Sequence, residues 1–167
     1  MFSGVDCEGK TVVFGISLIK EDSLENFSFA ISSFFNSIEN LFPSTVIIER
    51  QSTLKNALES VIKDKDIALL YCYQHLHKSL QYQIRNLMYT KNFSEKTKQV
   101  MLRVEKLPKL DNHKLLQVEL ERCKKQCEEV KGECNDIYLL VNKLYSEVKY
   151  WAKHLTIQRF TAGVNVF

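Results

Sequence analysis

Strand and helix patterns that alternate over the first half of the chain, followed by a second half with no strand pattern, predict a mixed α/β protein with a large helical part. Three observations carry this. Short β-branched runs stand at residues 11–19, 45–48 and 67–72. Apolar stripes at helical spacing lie between them. From His75 onward the apolar residues recur only at helical intervals.

Val12, Phe14, Ile16 and Leu18 alternate at period two, as on one face of a strand over 11–19. Asp6 to Lys10 is turn chemistry around Gly9, so Phe2–Val5 is expected as the other arm of a hairpin. Asp22-Ser-Leu-Glu25 has the form of a capping box with Asp22 as acceptor. Leu24, Phe27, Ile31, Phe34, Ile38 and Leu41 then form one helix stripe, which Pro43 is expected to stop. Thr45–Ile48 reads as a short strand ending at Glu49. Ser52 reads as the N-cap of a helix carrying Leu54, Ala57, Leu58, Val61 and Ile62. Residues 67–72 read as a third strand, and the uninterrupted apolar runs suggest burial on both faces. The next helix is expected to begin near His75.

Polar breaks at 90–97 and 108–113 divide the helical half. Beyond them, Leu116, Leu120, Cys123, Cys127, Val130, Cys134, Ile137, Val141, Leu144, Val148, Trp151 and Leu155 are spaced alternately four and three. That pattern predicts one long coiled-coil-like helix, roughly 60 Å long over 40 residues, with Gly132 as its weak point. Cys123, Cys127 and Cys134 fall on this seam, so they read as small core residues rather than metal ligands.

The composition excludes several classes. With 45% apolar residues and only 5 Gly and 2 Pro, the chain is neither disordered nor collagen-like. No run approaches the ~20 apolar residues of a membrane span, and the first residues lack signal-peptide character. The five cysteines read as reduced thiols, and the expected location is intracellular. The net charge of +3 divides unevenly: residues 1–60 hold 4 Lys/Arg against 8 Asp/Glu, and residues 76–125 hold 12 against 5. The local basic excess includes Lys78, Arg85, Lys91, Lys96, Lys98 and Arg103. It is open to two readings, a track for phosphates or a solubilising face.

Two other places could carry chemistry. Cys72-Tyr-Gln-His75-Leu-His77, at a strand-to-helix junction, is open to metal binding, thiol activation or helix-start packing. Glu49 is the acid at a strand end, where open α/β sheets collect ligands. It reads either as a metal-binding carboxylate or as a helix-start charge near Ser52.

Gly4-Val-Asp-Cys-Glu-Gly9-Lys, Val13-Phe-Gly-Ile-Ser-Leu, Glu21-Asp-Ser-Leu-Glu-Asn-Phe27, Val46-Ile-Ile-Glu49-Arg50, Cys72-Tyr-Gln-His75-Leu-His-Lys-Ser-Leu80 and Trp151…Phe160-Thr-Ala-Gly163 occur in this order. Together they resemble the MULE (Mutator-like element) transposase domain. The resemblance implies an RNase H-like mixed sheet with its first strand missing and a large all-α insertion containing the heptad-patterned helix. On that basis residues 1–75 are a partial α/β core, 76–155 the helical insertion, and 156–167 the start of a return to the core.

The family chemistry is Mg²⁺- or Mn²⁺-dependent cleavage and transfer of DNA strands by three acids. Glu49 takes the position of the second acid, where the family has Asp. The first and third are expected outside this chain. The resemblance therefore implies a truncated catalytic domain that is inactive as it stands, with Cys72 and His75 as the family's C-x-x-H pair. DNA is the expected partner, through the basic helical segment, and the nucleus the expected site. The competing expectation is a domesticated, non-catalytic DNA-binding or coiled-coil protein that self-associates through the heptad helix.

Overall fold

A computed structural model describes residues 1–6 and 8–152. Cys7, Leu155 and the residues 156–167 assigned to a return to the core lie outside the described residues. The described chain divides into two compact units, residues 1–70 and 71–152.

The first unit opens with an antiparallel hairpin of β1 (Phe2–Val5) and β2 (Thr11–Gly15), paired Ser3 to Val13 and Val5 to Thr11. Asp6 builds its turn: one carboxylate oxygen accepts from the Glu8 and Lys10 N–H groups at 2.9 and 2.8 Å, and Gly9 takes φ +79°. Gly4 allows a close approach, since a Cβ there would meet the Phe14 ring at 2.6 Å.

Helix α1 (Leu24–Ser37) begins one residue later than the capping box predicts. Ser23 Oγ, not Asp22, accepts the Asn26 N–H at 3.2 Å. The helix also ends before Pro43. Glu39 and Asn40 adopt φ +54° and +56°, and the Asn40 N–H closes on the Phe35 carbonyl at 2.8 Å. This left-handed exit satisfies a terminal carbonyl without needing proline. Of the predicted α1 stripe only Ile31 is buried, and Leu24 and Leu41 are exposed; the core face of the helix is Ala30, Ile31 and Phe35, and Phe34 stacks flat on Phe2 at 4.1 Å between ring centroids.

Next come β3 (Thr45–Ile48), α2 (Ser52–Val61) and β4 (Ala68–Tyr71). Helix α2 packs chiefly on α1 through Ala57 and Leu58. Gln51, not Ser52, is its N-cap; the Gln51 side chain instead donates to Asp22 at 2.9 Å.

The fold is mixed α/β, as expected, but the strands do not assemble into one sheet. They form two separate pairs, β1 with β2 and β3 with β4. In a two-stranded sheet both strands are edges. Burial differs from strand to strand: β4 is buried at Leu69, Leu70 and Tyr71, whereas β3 is only half-buried and β2 is largely exposed. The strand expected over 11–19 stops at Gly15, leaving Ile16 and Leu18 in solvent.

The second unit is helical: α3 (Tyr73–Thr90), α4 (Glu95–Lys106), a 3-10 turn at Leu107–Lys109, α5 (His113–Val130), α6 (Asn135–Ser146) and the single turn α7 (Val148–Trp151). Each helix packs on the next. The core is built from Leu76, Leu80 and Ile84 of α3, Val100, Met101 and Val104 of α4, and the apolar faces of α5 and α6.

The heptad seam is buried, from Leu116 through Leu144 and at Trp151, but the single long helix is not formed. It breaks at 131–134, where the Glu133 and Cys134 N–H groups both turn back to the Val130 carbonyl at 3.0 and 2.9 Å. Gly132 sits in the break, with no atom in the way of a side chain. The two halves of the seam therefore meet each other, α5 against α6, and are covered within one chain. Self-association through that seam would require opening this helix pair. Cys123, Cys127 and Cys134 are buried in it, and burial pushes the Cys123 and Cys127 thiols up to about 12.

The turn at 131–134 is held in place by Glu133. Its carboxylate accepts from the Ser94 backbone N–H, from Ser94 Oγ at 2.6 Å and from the buried Thr97 hydroxyl. It thus caps α4 alongside Ser94, whose own hydroxyl accepts the Thr97 N–H at 3.3 Å. These bonds hold the Glu133 carboxyl below its ordinary value of 4.5. A depressed carboxylate stabilises the fold above the unfolded value, and that contribution is lost as pH falls through the folded one. Glu133→Gln should therefore lower the melting temperature at neutral pH, with the difference from the parent shrinking below pH 4.5. A thermal-melt difference that stays constant across that range would show that the charge plays no part.

Candidate nucleic-acid interface

The residues singled out from the sequence fall in both units. Glu49 is exposed at the end of β3, and its backbone carbonyl accepts the Gln51 N–H at 2.8 Å in the step into α2. Asp6 and Glu8 are engaged in the hairpin turn, Asp6 with the Glu8 and Lys10 N–H groups and Glu8 with the Lys10 ammonium.

In the second unit, Cys72 is the N-cap residue of α3, with no side-chain cap bond, and His75 lies in the first turn. His77 stacks on Tyr73 at 5.6 Å, and its Nε2 is buried without a hydrogen bond. Burial, together with Lys109 and against the pull of Glu105, holds His77 below its ordinary value and so disfavours its charged form. Among the described residues, no three His, Cys, Asp or Glu side chains come together in a way that could hold a metal ion. The donors present do not fit a two-metal centre, which needs several converging carboxylates.

The basic residues separate into two groups. Lys96 is paired with Glu129 at 2.9 Å, and Arg103 lies 3.8 Å from Glu119. Lys98 is half-buried on α4. In contrast, Lys78 and Arg85 are exposed on α3, make no ion pair among the described residues, and stand on one face of the helix. Lys91 is exposed just past the helix end.

Helix α3 contains no acidic residue in its 18 positions. Its inner face carries Leu76, Leu80 and Ile84 into the core, which turns Lys78, Tyr82, Arg85 and Tyr89 outward. With Gln81 and Asn86 these line a shallow groove. The tyrosines escaped the sequence reading, although their seven-residue spacing in an acid-free helix was available to it.

No curated protein and no solved structure matches this chain. A family model does match its first 79 residues, just under half of the 167. The matched stretch takes in the hairpin, both strand–helix steps and the start of α3 with Cys72, His75 and Lys78. The Trp151…Gly163 resemblance lies beyond it, mostly outside the described residues. The family matched over residues 1–79 is the MULE transposase domain.

Proposed function

We propose that this chain is a transposase-related DNA-processing protein that holds DNA through its helical half. The MULE match over residues 1–79 is the observation that carries this reading. The acid-free helix α3, whose exposed Lys78 and Arg85 make no ion pair among the described residues, supports it, because phosphate contacts by Lys and Arg release counterions and supply sequence-independent affinity. In this reading residues 1–75 descend from an RNase H-like core and 76–155 from its helical insertion, and the protein works in the nucleus.

The family's strand cleavage is metal-dependent, and the described residues do not assemble the donors for it. Glu49 stands as one exposed carboxylate, and the longer Glu in place of Asp shifts the donor by ~1.5 Å, enough to disturb such geometry. In this reading the chain keeps the DNA-holding part of that processing and does not itself cut. A strand-cleavage assay on supercoiled and linear DNA with Mg²⁺ or Mn²⁺ tests this. The expected result is DNA bound and left intact; nicking that Glu49→Ala abolishes would overturn it.

The self-associating coiled-coil alternative finds less support, because the seam it requires is buried between α5 and α6 of one chain.

A further inference from the structure

We infer that the outer face of α3 is a stacking site for unpaired nucleotides, formed by Tyr82 and Tyr89 alternating with Lys78 and Arg85. The inference rests on the DNA-binding reading above and names the form of nucleic acid that this face takes.

The spacing places all four side chains together. Positions 78, 82, 85 and 89 are separated by four, three and four residues, which on a helix confines them to an arc of about 60°. They run along one stripe in the order Lys, Tyr, Arg, Tyr. The two tyrosines are about 10 Å apart along the axis, with Arg85 between them.

Burial sets these tyrosines apart from others in the chain. Tyr71 and Tyr150 pack on each other in the second unit's core, with centroids 5.3 Å apart. Tyr82 and Tyr89 are 73% and 89% exposed. Neither ring stacks on another ring or beneath a cation among the described residues. Two large rings left in water are not explained by packing, since Leu76, Leu80 and Ile84 already form the helix's inner face.

Charge favours a polyanion as the occupant. No Asp or Glu occurs in α3, and Glu105 of the adjoining α4 is engaged by Gln81 Nε2 at 2.9 Å. A duplex would use the two cations but has its bases stacked internally and offers nothing to the rings. A single strand offers phosphates to Lys78 and Arg85 and base faces to the tyrosines, the combination of charged track and aromatic platform that single-strand binding uses.

The test uses the full chain with a labelled oligothymidylate, a duplex, and inorganic polyphosphate as an anion without bases. Tyr82→Ala/Tyr89→Ala should weaken oligothymidylate binding by about 10-fold or more. Duplex and polyphosphate binding should not change, and Tyr82→Phe/Tyr89→Phe should restore the single-strand affinity. On the unmodified chain, photocross-linking with iodouracil oligonucleotides should map to Tyr82 or Tyr89, which keeps the test independent of any folding defect. An equal loss on all three ligands, no loss on the oligonucleotide, or cross-links elsewhere would overturn the stacking site while leaving DNA binding in place. Failure of the unmodified chain to bind any nucleic acid would overturn both readings together.

Discussion

Ile137→Ala is expected to cost about 2–5 kcal/mol, while Leu139→Ala on the same helix should stay within about 0.5 kcal/mol. Ile137 is fully buried where α6 meets α5, and Leu139, two residues away, is 56% exposed. Removing the Ile137 side chain deletes buried methyl groups and leaves a cavity that rigid helices only partly close. For a chain of this length the melting temperature should fall by roughly 5–15 °C.

The concentration dependence carries a second result. When the seam closes within one chain, the loss is the same at every protein concentration. If the seam instead joined two chains, stability would rise with concentration in the parent and the variant. Denaturant titrations of both variants at two widely separated concentrations decide it. A concentration-dependent midpoint, or a Leu139→Ala loss as large as that of Ile137→Ala, would rule out the α5–α6 pairing.

Lys78→Glu/Arg85→Glu should have the largest effect on function. Both residues are exposed, neither has an ion-pair partner among the described residues, and reversing them changes the α3 face by four charges. Abolishing one cation–phosphate interaction should flatten the dependence of log affinity on log salt by about 0.9, so the double reversal should reduce that slope by about 2. At moderate salt the affinity should fall by on the order of 10-fold or more. Lys96→Glu is the matched control. It changes the charge by two, as Lys78→Glu alone does, but its partner Glu129 already neutralises Lys96 in the parent, so its effect should be smaller than that of Lys78→Glu. Anisotropy titrations over a salt series measure both quantities. An unchanged slope in the double variant would remove α3 from the DNA-binding surface.

Much of the local structure was legible in the residues because its causes are local. The 6–10 turn follows from Asp6 and Gly9, which need only their neighbours. The helical stripe of α2 and the seam of α5 and α6 follow from spacing alone. The caps were less legible. Asp22 and Ser23 are both good acceptors, and which one closes the helix depends on where the chain enters α1. The exit of α1 turned on two positive-φ residues, Glu39 and Asn40, and Glu has no preference for that conformation that a sequence would reveal.

The basic residues show the same division. Twelve Lys and Arg between positions 76 and 125 were visible as a count. Which of them are neutralised depends on helices that lie apart in the chain: Lys96 finds Glu129 and Arg103 lies near Glu119 only because α4 packs on α5. Charge partners across 16 or more residues cannot be read from a local excess.

The sequence alone determined the alternation of elements, the apolar seam from Leu116 to Trp151, the core character of its cysteines and the MULE-like motif order. Each of these is a property of neighbouring residues or of their periodicity. The tertiary structure decided that the strands form two pairs rather than one sheet, that the seam folds back at Gly132, and that α3 presents two cations and two tyrosines without partners among the described residues. A 4-3 repeat states only that a face must be buried, and a second helix of the same chain covers it as well as another molecule does. Choosing between them required the break at 131–134 and the Glu133 carboxylate that ties this turn to α4.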